Sequence, residues 1–181
     1  MDILAHTLWA GAGAALLHHR APVARRTLVL LIGLAALPDL VQMLPITAWW
    51  LLGDGTLAAV KAFAMALPGQ EPTLPTWVAW LSHHLHCLGH SAVIAGAVTA
   101  LAWRWTHALW LPLLGWWSHI VIDVFTHSAD YYASPVLYPL TQRGFDGIAW
   151  NQPWFMTLNY LALALAGVGL VLLRAKRSAG R

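Results

Sequence analysis

Ten histidines stand in a chain that is otherwise largely apolar, and several are spaced as metal ligands are. "HHLHCLGHS" at 83–91 puts His83, His84, His86 and His90 within eight positions, and "SHIVIDVFTHS" at 118–128 sets His119, Asp123 and His127 at intervals of four. Residues four apart on a helix lie on one face, about 5–6 Å apart at Cβ. The pairs His86/His90 and His119/Asp123 can therefore each turn two donors toward one cation. His6 follows Asp2 by four, and Asp39 follows Pro38. Neutral imidazole and carboxylate suit a divalent transition metal, Zn²⁺ first, with Mn²⁺ or Fe²⁺ as alternatives. Such an ion lowers the pKa of its water from 15.7 to about 7 and polarises a phosphoryl or acyl oxygen. The chemistry in view is hydrolysis.

The elements that must carry these side chains belong to a membrane protein. Of 181 residues, 59% are hydrophobic and 9% charged, against roughly 45–50% and about 25% in soluble domains. A soluble fold would leave large apolar patches in water. The length fits one domain. The single cysteine, Cys87, precludes an intramolecular disulfide. "MDILAHTLWAG" lacks a basic n-region, so the N-terminal segment reads as retained.

The expected architecture is an all-α integral membrane bundle of about five transmembrane helices, at 3–19, 27–52, 88–105, 107–128 and 154–173. A short interfacial or re-entrant helix is expected over Leu57–Pro68. The last span, "WFMTLNYLALALAGVGLVLL", is uncharged and closed by "RAKRSAGR". Twenty residues at about 1.5 Å each cross a core of about 30 Å. A basic tail marks a cytoplasmic end. Five spans then put the N-terminus outside. Arg20, Arg25, Arg26, Arg104, Arg174, Lys176, Arg177 and Arg181 fall inside, leaving Lys61 and Arg143 outside. The positive-inside rule predicts that asymmetry.

The same topology brings the ionisable groups to one depth, on the non-cytoplasmic side. Intramembrane ionisable groups are expensive and face the bundle interior, and a cation would give them partners. The expected metal ligands are His6, Asp39, His86, His90, His119 and Asp123. His127 and His83 are expected to carry protons. Asp39 could instead cap a broken helix, and Asp2 could serve the helix dipole. His18, His19 and His107 lie at the other end and read as structural; His84 reads as a bystander. Asp130, Arg143 and Asp146 fall in the loop before the last span, where they either reach substrate or are simply solvated.

The pieces "MDILAHTLWAG", "ALPDLVQ", "HCLGHSAV", "GWWSHIVIDVFTHS" and "VLYPLTQRGFDGIAW" resemble, in order and spacing, a family of bacterial and archaeal membrane-bound proteins. It is catalogued as metal-dependent hydrolases, or domain of unknown function 457. Some of its inner-membrane members are described as binding the repressor LexA. The resemblance covers residues 1 to about 155. It aligns His6, Asp39, His90, His119 and Asp123 with the family's polar positions, accompanied by Ser91 and Thr126. It implies multi-pass residence in the cytoplasmic (inner) membrane. One departure is that the family's "HRGxTHS" has a histidine where this chain has Leu85, the nearest being His86. A more distant likeness is to zinc-dependent phospholipase C and the S1/P1 nucleases. The expected activity is hydrolysis of a lipid-linked or amphipathic phosphoester, without a nucleic-acid partner. Two alternatives are a membrane di-iron oxidase or desaturase-like enzyme, and a non-enzymatic metal- or regulator-binding membrane protein.

Overall fold

A computed structural model of the chain describes residues 1–67, 70–130 and 133–179. Those residues form eight helices: α1 (Ile3–Arg20), α2 (Arg25–Gln42), α3 (Leu44–Leu52), α4 (Leu57–Met65), α5 (Thr76–Gly89), α6 (Ala92–Thr106), α7 (Leu113–Thr126) and α8 (Pro153–Ala179). The all-α class expected from composition is what the chain adopts.

Local chemistry sets several helix starts. The Asp2 carboxylate accepts from Ala5 N at 2.9 Å, Thr56 Oγ1 from Ala59 N at 3.1 Å, and Ser91 Oγ from Ile94 N at 3.1 Å. Each satisfies a backbone donor that lacks a partner in its own helix. Asp2 thus acts as a cap rather than a ligand, and its Oδ1 also accepts from Tyr160 on α8 at 3.0 Å.

α2 is the hub, packed on α1, α5 and α7. Small side chains permit this: Ala10 and Ala14 of α1 meet Leu31 and Ala35 of α2 in one buried cluster, the close backbone approach usual among apolar helices. Two glycines allow close approach to α2. A Cβ on Gly115 of α7 would lie 1.8 Å from the Leu31 carbonyl oxygen, and one on Gly89 would lie 2.9 Å from Pro38 Cβ.

Two breaks organise the centre. α2 contains Pro38 and stops at Met43, and α3 resumes with Pro45 in its first turn, bent by 56°. Proline removes an interior backbone donor but suits a helix start. α5 and α6 meet at 55° across Gly89–Ser91. There the Trp116 indole N–H donates to the Gly89 carbonyl at 2.6 Å, satisfying a terminal acceptor of α5.

These breaks correct the expected spans. α8 is the one helix, among the described residues, long and apolar enough to cross a membrane unaided; each bent pair would add one more if counted as a single span. The expected bundle of about five spans is therefore not supported: with each bent pair counted as one span, the described residues give up to three. The expected 107–128 span shortens to the 14 residues of α7. The residues before it turn, because His107 closes α6 in the left-handed region (φ 52°) and its N–H returns to the Trp103 carbonyl. The expected 88–105 span is preceded by a full helix, α5, so the histidine-rich stretch lies on α5 and at its break. Of the short helix expected to Pro68, α4 ends at Met65; Pro68, like Arg181 of the basic tail, lies outside the described residues.

α8, 27 residues and about 40 Å long, packs on α1. Trp9 Nε1–H donates to Asn159 Oδ1 at 2.9 Å, and Arg177 donates to the His19 carbonyl at 2.9 Å. No α8 residue is buried, and Leu165 is 73% exposed, as an apolar helix facing lipid would be.

Gly115→Leu is expected to destabilise the protein by at least the upper end of the about 1–3 kcal/mol typical of overpacking, because the clash is with backbone. Gly13→Ala, which meets nothing within 4 Å, should be neutral or slightly stabilising. Thermal unfolding of both variants in detergent would check this; equal Tm values would contradict the packing described.

Candidate metal centre

The centre of the molecule is the carboxylate of Asp123, which is fully buried on α7. Its two oxygens face different neighbours. Oδ1 accepts from the Met1 α-ammonium and from Thr126 Oγ1 at 3.1 Å, and lies 2.9 Å from His6 Nε2. Oδ2 lies 2.9 Å from His90 Nε2, 3.2 Å from His119 Nε2 and 3.5 Å from His127 Nε2. Asp39 of α2, also buried, repeats the division. Its Oδ2 lies 4.0 Å from His6 Nε2, and its Oδ1 lies 3.6 Å from His90 Nε2 and 3.8 Å from His119 Nε2.

Four pieces of backbone deliver the donors. His6 comes from the first turns of α1, one turn after its Asp2 cap. Asp39 follows Pro38 near the end of α2. His90 ends α5 at the break, and His119 and Asp123 lie one turn apart on α7. His6, Asp39, His119 and Asp123 each present one donor atom within 4.8 Å of the other three. These four buried residues could hold a metal ion, and His90 Nε2 lies 2.9 Å from Asp123, 3.0 Å from His119 and 3.6 Å from Asp39.

The tautomers support that reading. His90 Nδ1–H donates to the His86 carbonyl and His119 Nδ1–H to the Ala35 carbonyl, both at 2.8 Å. A neutral imidazole that donates through Nδ1 presents a lone pair at Nε2. The two Nε2 atoms are 3.0 Å apart, and both face the carboxylate oxygens. Lone pairs converging on anionic oxygens repel unless a positive charge sits among them. A carbonyl behind each imidazole is also the usual support for a metal-binding histidine.

Distances agree with the size of an ion. Metal–ligand bonds of about 2.0–2.1 Å in a tetrahedron put donors about 3.3 Å apart. Among His90 Nε2, His119 Nε2, Asp123 Oδ2 and Asp39 Oδ1, the five separations that involve a histidine are 2.9, 3.0, 3.2, 3.6 and 3.8 Å.

The other expected residues fall at varying distances. His127 caps the end of α7 in extended backbone rather than continuing its face, yet still reaches Asp123. His86 lies farther out: its ring is 4.0 Å from that of His90, and its Nδ1–H donates to Gln42 Oε1 at 2.7 Å. His83 is 3.5 Å from the Cys87 sulfur and away from the carboxylates. The helix ends at Gly89, so His83, His86 and His90 do not form one continuous stripe. His84 packs on Trp80, as a bystander would. Asp130 accepts from Ser128 Oγ and Asp146 from Ala129 N, bracing their loop.

Spacing alone did not bring out Gln42, or the carbonyls of Ala35 and His86. Gln42 had a signal, standing three residues after Asp39 on the same helix; the carbonyls had none. Thr126, expected only by resemblance, bonds Asp123 directly.

Beside the cluster opens a cavity of about 280 Å³ whose lining includes Leu4, Asp39, Met43, Phe63, Met65 and His127. Its wall is mostly apolar, and Asp2, Asp39, Gln42 and His127 supply its polar side chains.

Added Zn²⁺ at about 100 times its Kd should stabilise the wild type by about 2.7 kcal/mol, reversed by chelator; Asp123→Ala should show no such response. Thr126→Val, which removes one support of Asp123, should weaken metal affinity about 10–100-fold. Calorimetric titration in detergent measures both, and unchanged affinity in Thr126→Val would deny that support.

No family model, curated protein or solved structure matches the chain, so its function has to be argued from this centre.

Proposed function

We propose that the chain is a membrane-embedded metal-dependent hydrolase acting on a lipid-linked or amphipathic phosphoester, related to the membrane-bound hydrolase family its motifs resemble. The observation that carries this is the convergence of the His90 and His119 lone pairs with the Asp39 and Asp123 carboxylates, next to an apolar-walled cavity. His90, His119, Asp39 and Asp123 would hold the ion, with His6 adjoining through Asp123. The chemistry a Zn²⁺-type ion supplies when bound is Lewis acidity toward water and toward a phosphoryl oxygen.

The chain's own residues do the rest. Thr126 fixes the rotamer of Asp123, and the Ala35 and His86 carbonyls hold the imidazoles in the tautomer that leaves Nε2 unprotonated. The cavity admits an apolar group along Leu4, Met43, Phe63 and Met65, which brings its polar end to Asp39 and His127. His127 Nε2, 3.5 Å from Asp123 Oδ2, stands where it can take or return a proton. Two carboxylates and no glutamate make a poorer set than the Glu-rich ligation of di-iron bundle centres, which favours hydrolysis over the oxidase alternative.

The placement in a membrane rests on α8, the one helix among the described residues long and apolar enough to cross unaided. Beyond it, the reading takes the bent pairs α2–α3 and α5–α6 as broken spans, with α1 and α7 packed among them. Irregular backbone at membrane depth is tolerated where it is buried or lines a cavity, and both breaks adjoin the metal cluster or its cavity. His18, His19, Arg20, Arg174 and Arg177 gather at the other end of α1 and α8, the pattern expected of a cytoplasmic face.

Purified protein with an amphipathic phosphodiester in mixed micelles should release product only with metal present. His119→Ala should lose at least about 10²-fold in kcat/KM. Met43→Trp, which narrows the cavity, should raise KM for long-chain but not short-chain esters while metal content stays unchanged. Metal-replete wild type without activity on any such ester would sink the proposal. For orientation, in a Cys87→Ser background, Arg143→Cys should react with an impermeant maleimide from outside the cell and Pro22→Cys should not; the opposite pattern would reverse the topology.

A further inference from the structure

We infer that the centre holds two metal ions rather than one, sharing Asp123 and Asp39 as bridges, with the second ion on the cavity side between His6 and His127. The inference rests on the metal-centred reading above and extends it.

The donors outnumber what one ion can use. Four imidazole nitrogens and four carboxylate oxygens meet here, whereas a tetrahedral ion takes four ligands. Apart from His127, whose Nε2 lies 3.5 Å from Asp123 Oδ2, the surplus is ordered by side. One oxygen of each carboxylate faces His90 and His119: Asp123 Oδ2 at 2.9 and 3.2 Å, and Asp39 Oδ1 at 3.6 and 3.8 Å. The other oxygen of each faces His6, Asp123 Oδ1 at 2.9 Å and Asp39 Oδ2 at 4.0 Å. A carboxylate that shows each oxygen to a different set of nitrogens is disposed to bridge two ions, and two such carboxylates stand side by side.

A second observation locates the outer ion. The Met1 α-ammonium bonds Asp123 Oδ1 and lies 3.2 Å from His127 Nε2, so this corner already accommodates a positive charge. Asp39, His127 and Met1 all line the cavity, which puts the outer ion where a substrate would arrive. The inner position, between His90 and His119, is fully enclosed, since both rings are buried to 0% exposure. Two divalent ions against two carboxylates leave the centre cationic, and an anionic phosphoester offsets that charge. The paired arrangement is the one that steadies both the attacking and the leaving oxygen of an in-line displacement.

The test is metal content and magnetic coupling in the full-length protein in detergent, stripped with chelator and loaded to saturation with Mn²⁺. Wild type should carry two ions per chain by mass spectrometry and show an exchange-coupled paramagnetic resonance spectrum. The double variant His6→Ala/His127→Ala should carry one ion and show the uncoupled six-line signal. A wild type that saturates at one ion, or a double variant that keeps two, overturns the two-ion inference and leaves the single-centre hydrolase standing. A wild type that binds no metal overturns both. Should the double variant fail to fold, the wild-type spectrum decides, since an uncoupled signal at saturation refutes the pair.

Discussion

The buried carboxylate of Asp123 is the constraint on which the rest of the structure turns. Removing an ion from water costs several kcal/mol even after the protein relaxes, and here the carboxylate has no exposure at all. It is tolerable because the Met1 α-ammonium and the Thr126 hydroxyl bond it directly, while imidazoles from α1, the α5 break and α7 close around it. The helices must therefore approach closely, and they do so through alanines and glycines. Gly115 lets α7 sit against the backbone of α2, which in turn brings the Ala35 carbonyl within 2.8 Å of His119 Nδ1. A contact that looks like simple packing thus sets the tautomer of an imidazole that faces the Asp39 and Asp123 carboxylates.

The breaks in the helices serve the same end. A continuous α2 through Met43, or a continuous α5 into α6, would carry the chain past the cluster. The bend after Pro38 and Met43 instead swings α3 and α4 aside, so that Met43 and Phe63 wall a cavity beside Asp39. The bend at Gly89–Ser91 leaves His90 as the last residue of a turn, its Nδ1 tied to the His86 carbonyl and its Nε2 turned inward. Irregular backbone is concentrated where the polar groups are, and its freed donors and acceptors are met locally, by Ser91 at the start of α6 and Trp116 at the end of α5.

Polarity is distributed along the molecule in a way that separates tasks. The arginines of α1 and α8 gather at one end, joined by Arg177 to the His19 carbonyl, while the acids that matter gather at the other. Between them run mainly apolar and small side chains. The arrangement keeps the arginine side chains, which would compete with a cation for the carboxylates, far from Asp39 and Asp123; the positive group that does reach Asp123 is the Met1 α-ammonium.

The sequence by itself determined the all-α class, the apolar C-terminal helix and the residue types of the centre. These are legible because a 20-residue uncharged run and four-residue His/Asp spacings are local properties of a helix, independent of what packs against it. His6 and the α7 pair were identifiable on those grounds; Asp39 was expected from its depth in the 27–52 segment and from the family resemblance. Only the tertiary structure decided which histidines converge. His86 and His90 are equivalent by spacing, yet the break at Gly89 aims one at Gln42 and the other at Asp123. His127 leaves the helix and still reaches the same carboxylate. Nor could spacing show that the intended spans would bend or fall short, since that depends on how a proline or glycine is accommodated by its neighbours. Ligand type is written in single residues; ligand direction is a property of the packed helices, set by contacts between segments distant in the chain.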